Sequence, residues 1–108
     1  MAHIEISCSG IERSDALVDH VHAQLERAAG RHFDRITRFE VHLADTNAQK
    51  KGAGDKRCRV EARPRGLDPL LAEDQGDDIY TVVKHAAEKI SRALTKRFEK
   101  LDTQRDSA

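Results

Sequence analysis

Hydrophobic positions recur at period two near the start of the chain. Residues 3–8 alternate, with His3 and Glu5 turned one way and Ile4, Ile6 and Cys8 the other, which predicts a half-buried strand ended by Gly10. Ser14 then offers an oxygen to cap a helix, and Asp15 places a negative charge in the first turn, where the helix dipole favours one. Leu17, Val18, Val21, Leu25 and Ala28 follow helical spacing and Gly30 is a good stop, so the pattern predicts a first helix over roughly 14–29. Phe39, Val41 and Leu43 alternate with Glu40 and His42 as a second strand. A small, polar stretch with two glycines, NAQKKGAGDK, reads as a loop.

The third strand is the cleanest. In RCRVEAR, Cys58, Val60 and Ala62 point inward while Arg57, Arg59, Glu61 and Arg63 point outward. Pro64 and Gly66 mark a turn. The next segment, LDPLLAED, is interrupted by Pro69, so a fourth strand is expected there at a sheet edge, where a missing N–H is tolerated. Asp77 or Asp78 then caps a helix expected to reach Leu101. Tyr80, Val83, Ala87, Ile90, Leu94, Phe98 and Leu101 share one face at the 3.6-residue period. The polar remainder, 102–108, is expected to be a disordered tail.

The resulting order is strand, helix, strand, strand, strand, helix. A helix between the first two strands suggests a crossover joining parallel neighbours, and short later connections suggest antiparallel ones. Each helix has one apolar face. An α+β fold follows: β-α-β-β-β-α, a four-stranded mixed sheet with both helices packed on one face, the other face turned to water, an arrangement like that of double-stranded-RNA-binding domains. The 108 residues fit one domain, taken as 1–101.

Composition narrows the class. The hydrophobic fraction is 38% and the charged fraction 35%, with only two prolines, as in soluble globular domains. With aromatics at 4%, aliphatic side chains must build the core. Cys8 and Cys58 match no CxxC spacing and read as reduced core residues, with a disulfide as the lesser alternative. No apolar run approaches a membrane span, and the first residues lack the features of a signal peptide, so a cytoplasmic protein is expected.

A formal net charge of zero hides strong segregation. Residues 50–65 carry 7 basic and 2 acidic side chains, 66–80 carry none and 5, and 81–101 carry 6 and 2. Such local fields recruit polyanions whatever the total. On the last helix, His85, Lys89, Arg92, Lys96 and Lys100 fall within an arc of about 80° opposite the apolar stripe. An ordinary solvated helix face has the same appearance. Arg57, Arg59 and Arg63 share the outward face of the third strand with only Glu61 among them, and Lys50, Lys51 and Lys56 extend that patch. Because Phe33, Phe39, Phe98 and Tyr80 all read as core or helix-buried, structured RNA gripped through phosphate and ribose fits better than stacking on loose bases.

Enzyme signals are weak. The six histidines show no metal-ligand spacing, no HExxH, P-loop or serine elbow occurs, and Asp77 with Asp78 is explained by helix capping. No catalytic residue, metal or cofactor is expected. A protein-interaction regulator, docking a partner through the acidic 68–78 segment or the open sheet face, remains the alternative to RNA binding.

Three stretches carry a family resemblance. SDALVDHV at 14–21 is similar to the start of the first helix of the ribosome hibernation-promoting factors. HFDRI at 32–36 resembles that family's junction into the second strand. DDIYTVVKHAAEKISRALTKRFEKL at 77–101 resembles its final helix, with Asp78, Ile79, Tyr80, Lys89, Ile90, Arg92, Leu94, Lys96, Lys100 and Leu101 meeting the pattern. The resemblance, over nearly the whole chain, implies a short, single-domain form of that family, with the fold expected above. It implies a non-enzymatic inhibitor of translation that occupies the decoding region of the small ribosomal subunit and keeps idle ribosomes inactive in stationary phase or stress. It implies that Lys89, Arg92, Lys96 and Lys100 grip rRNA phosphates, with Arg97 alongside; a monomer is expected. Arg27 and Arg31, at the end of the first helix, are candidate further contacts, and Arg57, Arg59 and Arg63 join the set from the strand pattern alone.

Overall fold

A computed structural model describes residues 2–45 and 55–106, with side chains through Thr103. Lys50 and Lys51, counted in the basic patch, lie outside the described residues, as do the last two of the chain. The elements are strand β1 (His3–Ser9), helix α1 (Asp15–Ala29), a 3-10 turn over Gly30–Arg35, strands β2 (Ile36–Asp45), β3 (Lys56–Pro64) and β4 (Leu70–Gly76), and helix α2 (Ile79–Asp106).

The capping chemistry sets the helix starts. The Leu17 amide donates to Ser14 Oγ at 3.1 Å, which satisfies one of the open N–H groups of α1. Asp78 does the same for α2: its carboxylate accepts from the Tyr80 amide at 3.3 Å and the Thr81 hydroxyl at 2.9 Å. Gly30, at φ 51°, closes α1 in a backbone conformation that costs a glycine little. Nothing comparable breaks α2 at Leu101, since Asp102 to Asp106 contain no Gly or Pro. The helix runs on to Asp106, and residues 102–106 are helical rather than the disordered tail expected.

The sheet order is β1-β2-β3-β4. β1 and β2 are parallel, with Ile6 opposite Val41. β2–β3 and β3–β4 are antiparallel, with Val41 opposite Val60 and Val60 opposite Ala72. A register shift between Ile36 and Arg38 marks a bulge, where Thr37 Oγ1 donates to the Arg63 carbonyl at 2.9 Å. β4 is an edge strand, as Pro69 implied. The two border strands each present a main-chain oxygen to a cation. Arg13 Nη1 donates to the Ile6 carbonyl of β1 at 2.6 Å, and Lys89 Nζ donates to the Glu73 carbonyl of β4 at 2.9 Å.

Ile6, Phe39, Val41, Leu43, Cys58, Val60 and Ala62 form the buried sheet face, covered by Leu17, Val21 and Leu25 of α1 and by Val82, Val83, Ala86, Ala87, Ile90, Leu94 and Phe98 of α2. The core is aliphatic apart from Phe39 and Phe98; Phe33 is only half-buried. Burial pushes the Cys58 thiol up to about 12, leaving it protonated and inert. Cys8 and Cys58 both face Leu43 across the sheet, from opposite sides. Two strand spacings, roughly 10 Å, are beyond the Cα separation a disulfide spans, and both thiols are free.

The helices run in the same direction. His20 of α1 meets Tyr80 at the start of α2, and Arg35, just past α1, meets Asp102 near its end. Tyr80 departs from the sequence reading. It sits one turn beyond the end of the covered stripe and is 39% exposed.

Candidate nucleic-acid interface

The basic residues singled out in the sequence separate into distinct places. Arg57, Arg59 and Arg63 project from the open face of the sheet, opposite the helices. Their strand supplies one carboxylate, Glu61, and its neighbours supply the others through register. Arg57 Nε is 3.1 Å from Glu73 Oε1 on β4. Arg63 lies 3.0 Å from Glu40 on β2 and 2.9 Å from Glu61, which raises its affinity for a proton. Arg38 pairs with Glu5 and Glu40 on the same face, and the Arg38 guanidinium holds the Glu5 carboxyl below its ordinary range. Arg59 alone of the three strand arginines has no ion pair among the described residues. The expected bare arginine row is therefore a checkerboard of nearly balanced charge. Lys56, also counted in that patch, turns to the other side and pairs with Asp45 at 2.8 Å.

The rail on α2 is interrupted at its start. Lys89 Nζ lies 3.0 Å from Asp74 Oδ1, and His85 Nδ1 lies 3.4 Å from the other oxygen of that carboxylate. Asp74 is on the helix-facing side of β4, where α2 overlies the sheet edge. Arg97 and Lys100 border a different hollow, closed by Leu67 and Leu101.

A more coherent cationic surface lies between the helices. A groove of about 260 Å³ runs along the α1–α2 seam, with Gln24, Arg27 and Ala28 on one wall and Lys84, Ser91 and Arg92 on the other. Glu88 is its one carboxylate. Lys96 extends the Arg92 side by one turn, and Arg31 follows the Gly30 cap in the 3-10 turn just past the end of α1. None of Arg27, Arg31, Lys84, Arg92, Lys96 or Lys100 takes part in an ion pair among the described residues. All six side chains belong to exposed residues. Lys84 and Gln24 were missed in the sequence because each lies on the shoulder of its helix; only the parallel packing of α1 against α2 makes them opposite walls of one groove.

Flexible cations of this kind, unpaired and lining a shallow seam, suit a phosphate backbone, because each contact releases condensed counterions. The seam contains no nucleophile–base pair, and no cluster of three metal-ligating side chains occurs among the described residues. Among the described residues no helix is long and apolar enough to cross a membrane.

Comparison with known proteins agrees with this architecture. A ribosomal subunit interface protein from Coxiella burnetii superposes with a TM-score of 0.75 at 22% identity, covering 90% of this chain and 98% of that one. The N-terminal domain of Thermus thermophilus Protein Y superposes at 0.70 and 21% identity, covering 89% and 98%. At those identities the likeness establishes the fold. In sequence, the ribosome hibernation promoting factor of Azotobacter vinelandii is 30% identical over 97 residues, which is 90% of this chain and 83% of that protein. The family described as Sigma 54 modulation protein / S30EA ribosomal protein matches residues 4–102, and the chain belongs to that family.

Proposed function

We propose that this protein binds the small ribosomal subunit near the mRNA and tRNA decoding sites and keeps idle ribosomes inactive in the cytoplasm, as a non-enzymatic hibernation factor. The observation that carries the reading is the unpaired cationic seam between α1 and α2, in a chain whose family and 30%-identical relative are ribosome-associated by name. Arg27, Arg31, Lys84, Arg92 and Lys96 are assigned the principal rRNA phosphate contacts, with Arg97 and Lys100 continuing the surface toward the end of α2. A rigid domain lodged in an RNA-lined channel excludes messenger and transfer RNA by volume, so no turnover is required of it.

A plug in such a channel meets RNA on more than one side. The strand arginines Arg57, Arg59 and Arg63 are therefore assigned a second, weaker contact. For Arg57 and Arg63 a phosphate must compete with a carboxylate already in place. Lys89 is likewise committed to Asp74 and contributes less than the rest of the rail.

The test is co-sedimentation of the purified protein with small ribosomal subunits across a salt series. Association at low salt that weakens linearly on a log–log plot is expected. Combined reversal of Arg27, Arg92 and Lys96 to glutamate should abolish it with an unchanged circular dichroism spectrum. Undiminished co-sedimentation of that variant would remove the seam from the reading.

One observation favours protein docking instead. The open sheet face is nearly charge-balanced and carries Leu71, 52% exposed, beside its Arg–Glu pairs. Capture of a partner that survives both ribonuclease and high salt would favour that reading.

A further inference from the structure

Tyr80 is the only tyrosine in a chain without tryptophan, and it is the one exposed large aromatic side chain among the described residues. Its apolar ring is not left in water by accident of a loose loop. It stands in the first turn of α2, directly after the Asp78 cap that fixes the helix start. His20 of α1 holds it from the side: the two ring centroids are 5.0 Å apart at an interplanar angle of 61°, and His20 Nε2 donates to the Tyr80 main-chain carbonyl at 2.9 Å. In either sense of an edge-to-face contact, at least one face of the tyrosine ring stays free of His20.

The position matters as much as the exposure. Tyr80 precedes Lys84 by one helical turn, and His20 precedes Gln24 by one turn, so the His20–Tyr80 pair closes the head of the cationic seam. A strand whose phosphates lie along Lys84, Arg27 and Arg92 therefore ends against an aromatic face. Every nucleobase offers a π-face, and a ring already held by its neighbour loses little freedom when a base settles on it. A role as simple helix–helix packing accounts for the His20 contact but not for the open face, since apolar packing positions elsewhere on α2 are covered.

We infer that Tyr80 is a stacking platform for an unpaired nucleobase of the bound RNA, positioned by His20 at the head of the α1–α2 seam. The inference rests on the ribosome-binding reading above. It adds recognition of a splayed-out base to a contact otherwise made through phosphates, and the class of ligand is a single-stranded or bulged nucleotide rather than paired helix.

The test compares wild type, Tyr80→Phe and Tyr80→Leu in co-sedimentation with purified small ribosomal subunits. Leucine keeps apolar bulk against His20 and removes the π-face, while phenylalanine keeps the ring. Tyr80→Phe should bind within about twofold of wild type and Tyr80→Leu roughly tenfold more weakly, in the range typical for loss of one base stack. The sole tyrosine also makes the emission of the wild-type protein a private reporter. A short oligoadenylate should quench it, whereas inorganic polyphosphate, which offers charge without bases, should not. Equal affinity of Tyr80→Leu and wild type overturns the stack while leaving the ribosome reading intact, as does equal quenching by the two polyanions. Failure of wild type itself to co-sediment at low salt removes the ribosome reading, and the stack with it.

Discussion

Lys89 Nζ stands 3.0 Å from Asp74 Oδ1 and 2.9 Å from the Glu73 carbonyl oxygen, so a residue near the start of the α2 cationic rail is turned back onto the edge of the sheet. Its neighbour three residues on, Arg92, belongs to the seam with α1 and has no ion pair among the described residues. Two cations from one helical face thus have different surroundings. Lys89→Ala should leave ribosome affinity within about threefold of wild type. Its effect on stability should be within about 1 kcal/mol, because the lysine side chain is nearly half exposed. Arg92→Ala should do the reverse: a clear loss of affinity with an unchanged urea midpoint. Parallel co-sedimentation and urea titration of the two variants separates the roles.

The salt dependence gives a count of contacts. Each phosphate contact contributes roughly 0.7 to 0.9 to the slope of log K against log salt. Arg92→Ala and Arg27→Ala should each flatten the slope by about that amount. Arg57→Ala should flatten it by less, since Glu73 already occupies the guanidinium. An equal change for Arg57 and Arg92 would place the open sheet face and the helix seam on the same footing.

At the far end of the helices, the Arg35 guanidinium lies 4.0 Å above the Phe98 ring and makes two 3.3 Å bonds to Asp102. Phe98 is buried and large, so Phe98→Ala should cost roughly 3–5 kcal/mol in chemical denaturation. Arg35→Ala removes one cation–π contact and one largely exposed pair and should cost roughly 1–2 kcal/mol.

His32 makes stability depend on pH. It is buried, with its ring tilted against Phe98 at 4.7 Å, and burial lowers its pKa, helped by the positive charges of Arg31 and Arg35 and opposed by Asp102 and Glu99. The unfolded chain therefore binds the proton more tightly than the folded one. Stability from the neutral ring is fully present above about pH 6.5, falls as the medium is acidified through that value, and levels off below the depressed folded pKa. The urea midpoint should drop between pH 7.5 and pH 5.5, and His32→Phe should flatten that drop. The lowered Glu5 carboxyl titrates below this window and leaves it undisturbed.

Gly10 offers a local test of backbone geometry. Its φ is +72°, and a Cβ there would lie 3.1 Å from the Asp45 carbonyl oxygen, at the end of the β1–β2 pair. Gly10→Ala should cost roughly 1–2 kcal/mol by thermal denaturation, more than an exposed turn substitution elsewhere.

The fold was legible wherever one element's own pattern decides its structure. Period two in Phe39–Leu43 and Cys58–Ala62, the Ser14 cap and the long stripe from Val83 to Phe98 each carry their own signal and formed as read, and of the two aspartates offered for the second cap Asp78 takes the place. The errors concern what neighbours contribute. The Glu73 partner of Arg57, the Glu40 partner of Arg63 and the Asp74 partner of Lys89 all come from neighbouring strands, through a register that a single strand does not encode. Tyr80 fits the apolar period but lies past the edge of the sheet-covered stripe, so periodicity placed it in the core and distance placed it outside. The seam itself became visible only when two helix shoulders, each unremarkable alone, were set side by side.

The two cations that touch the outer strands have a consequence for life in a crowded solution. A sheet with open borders invites like chains to add on, strand by strand. Here any newcomer at β1 meets the arginine of position 13, Arg13, and any newcomer at β4 meets Lys89. Copies of the molecule brought close together are thus met at either flank by a positive charge that must first be dislodged, and the lysine committed to Asp74 helps keep the molecules apart.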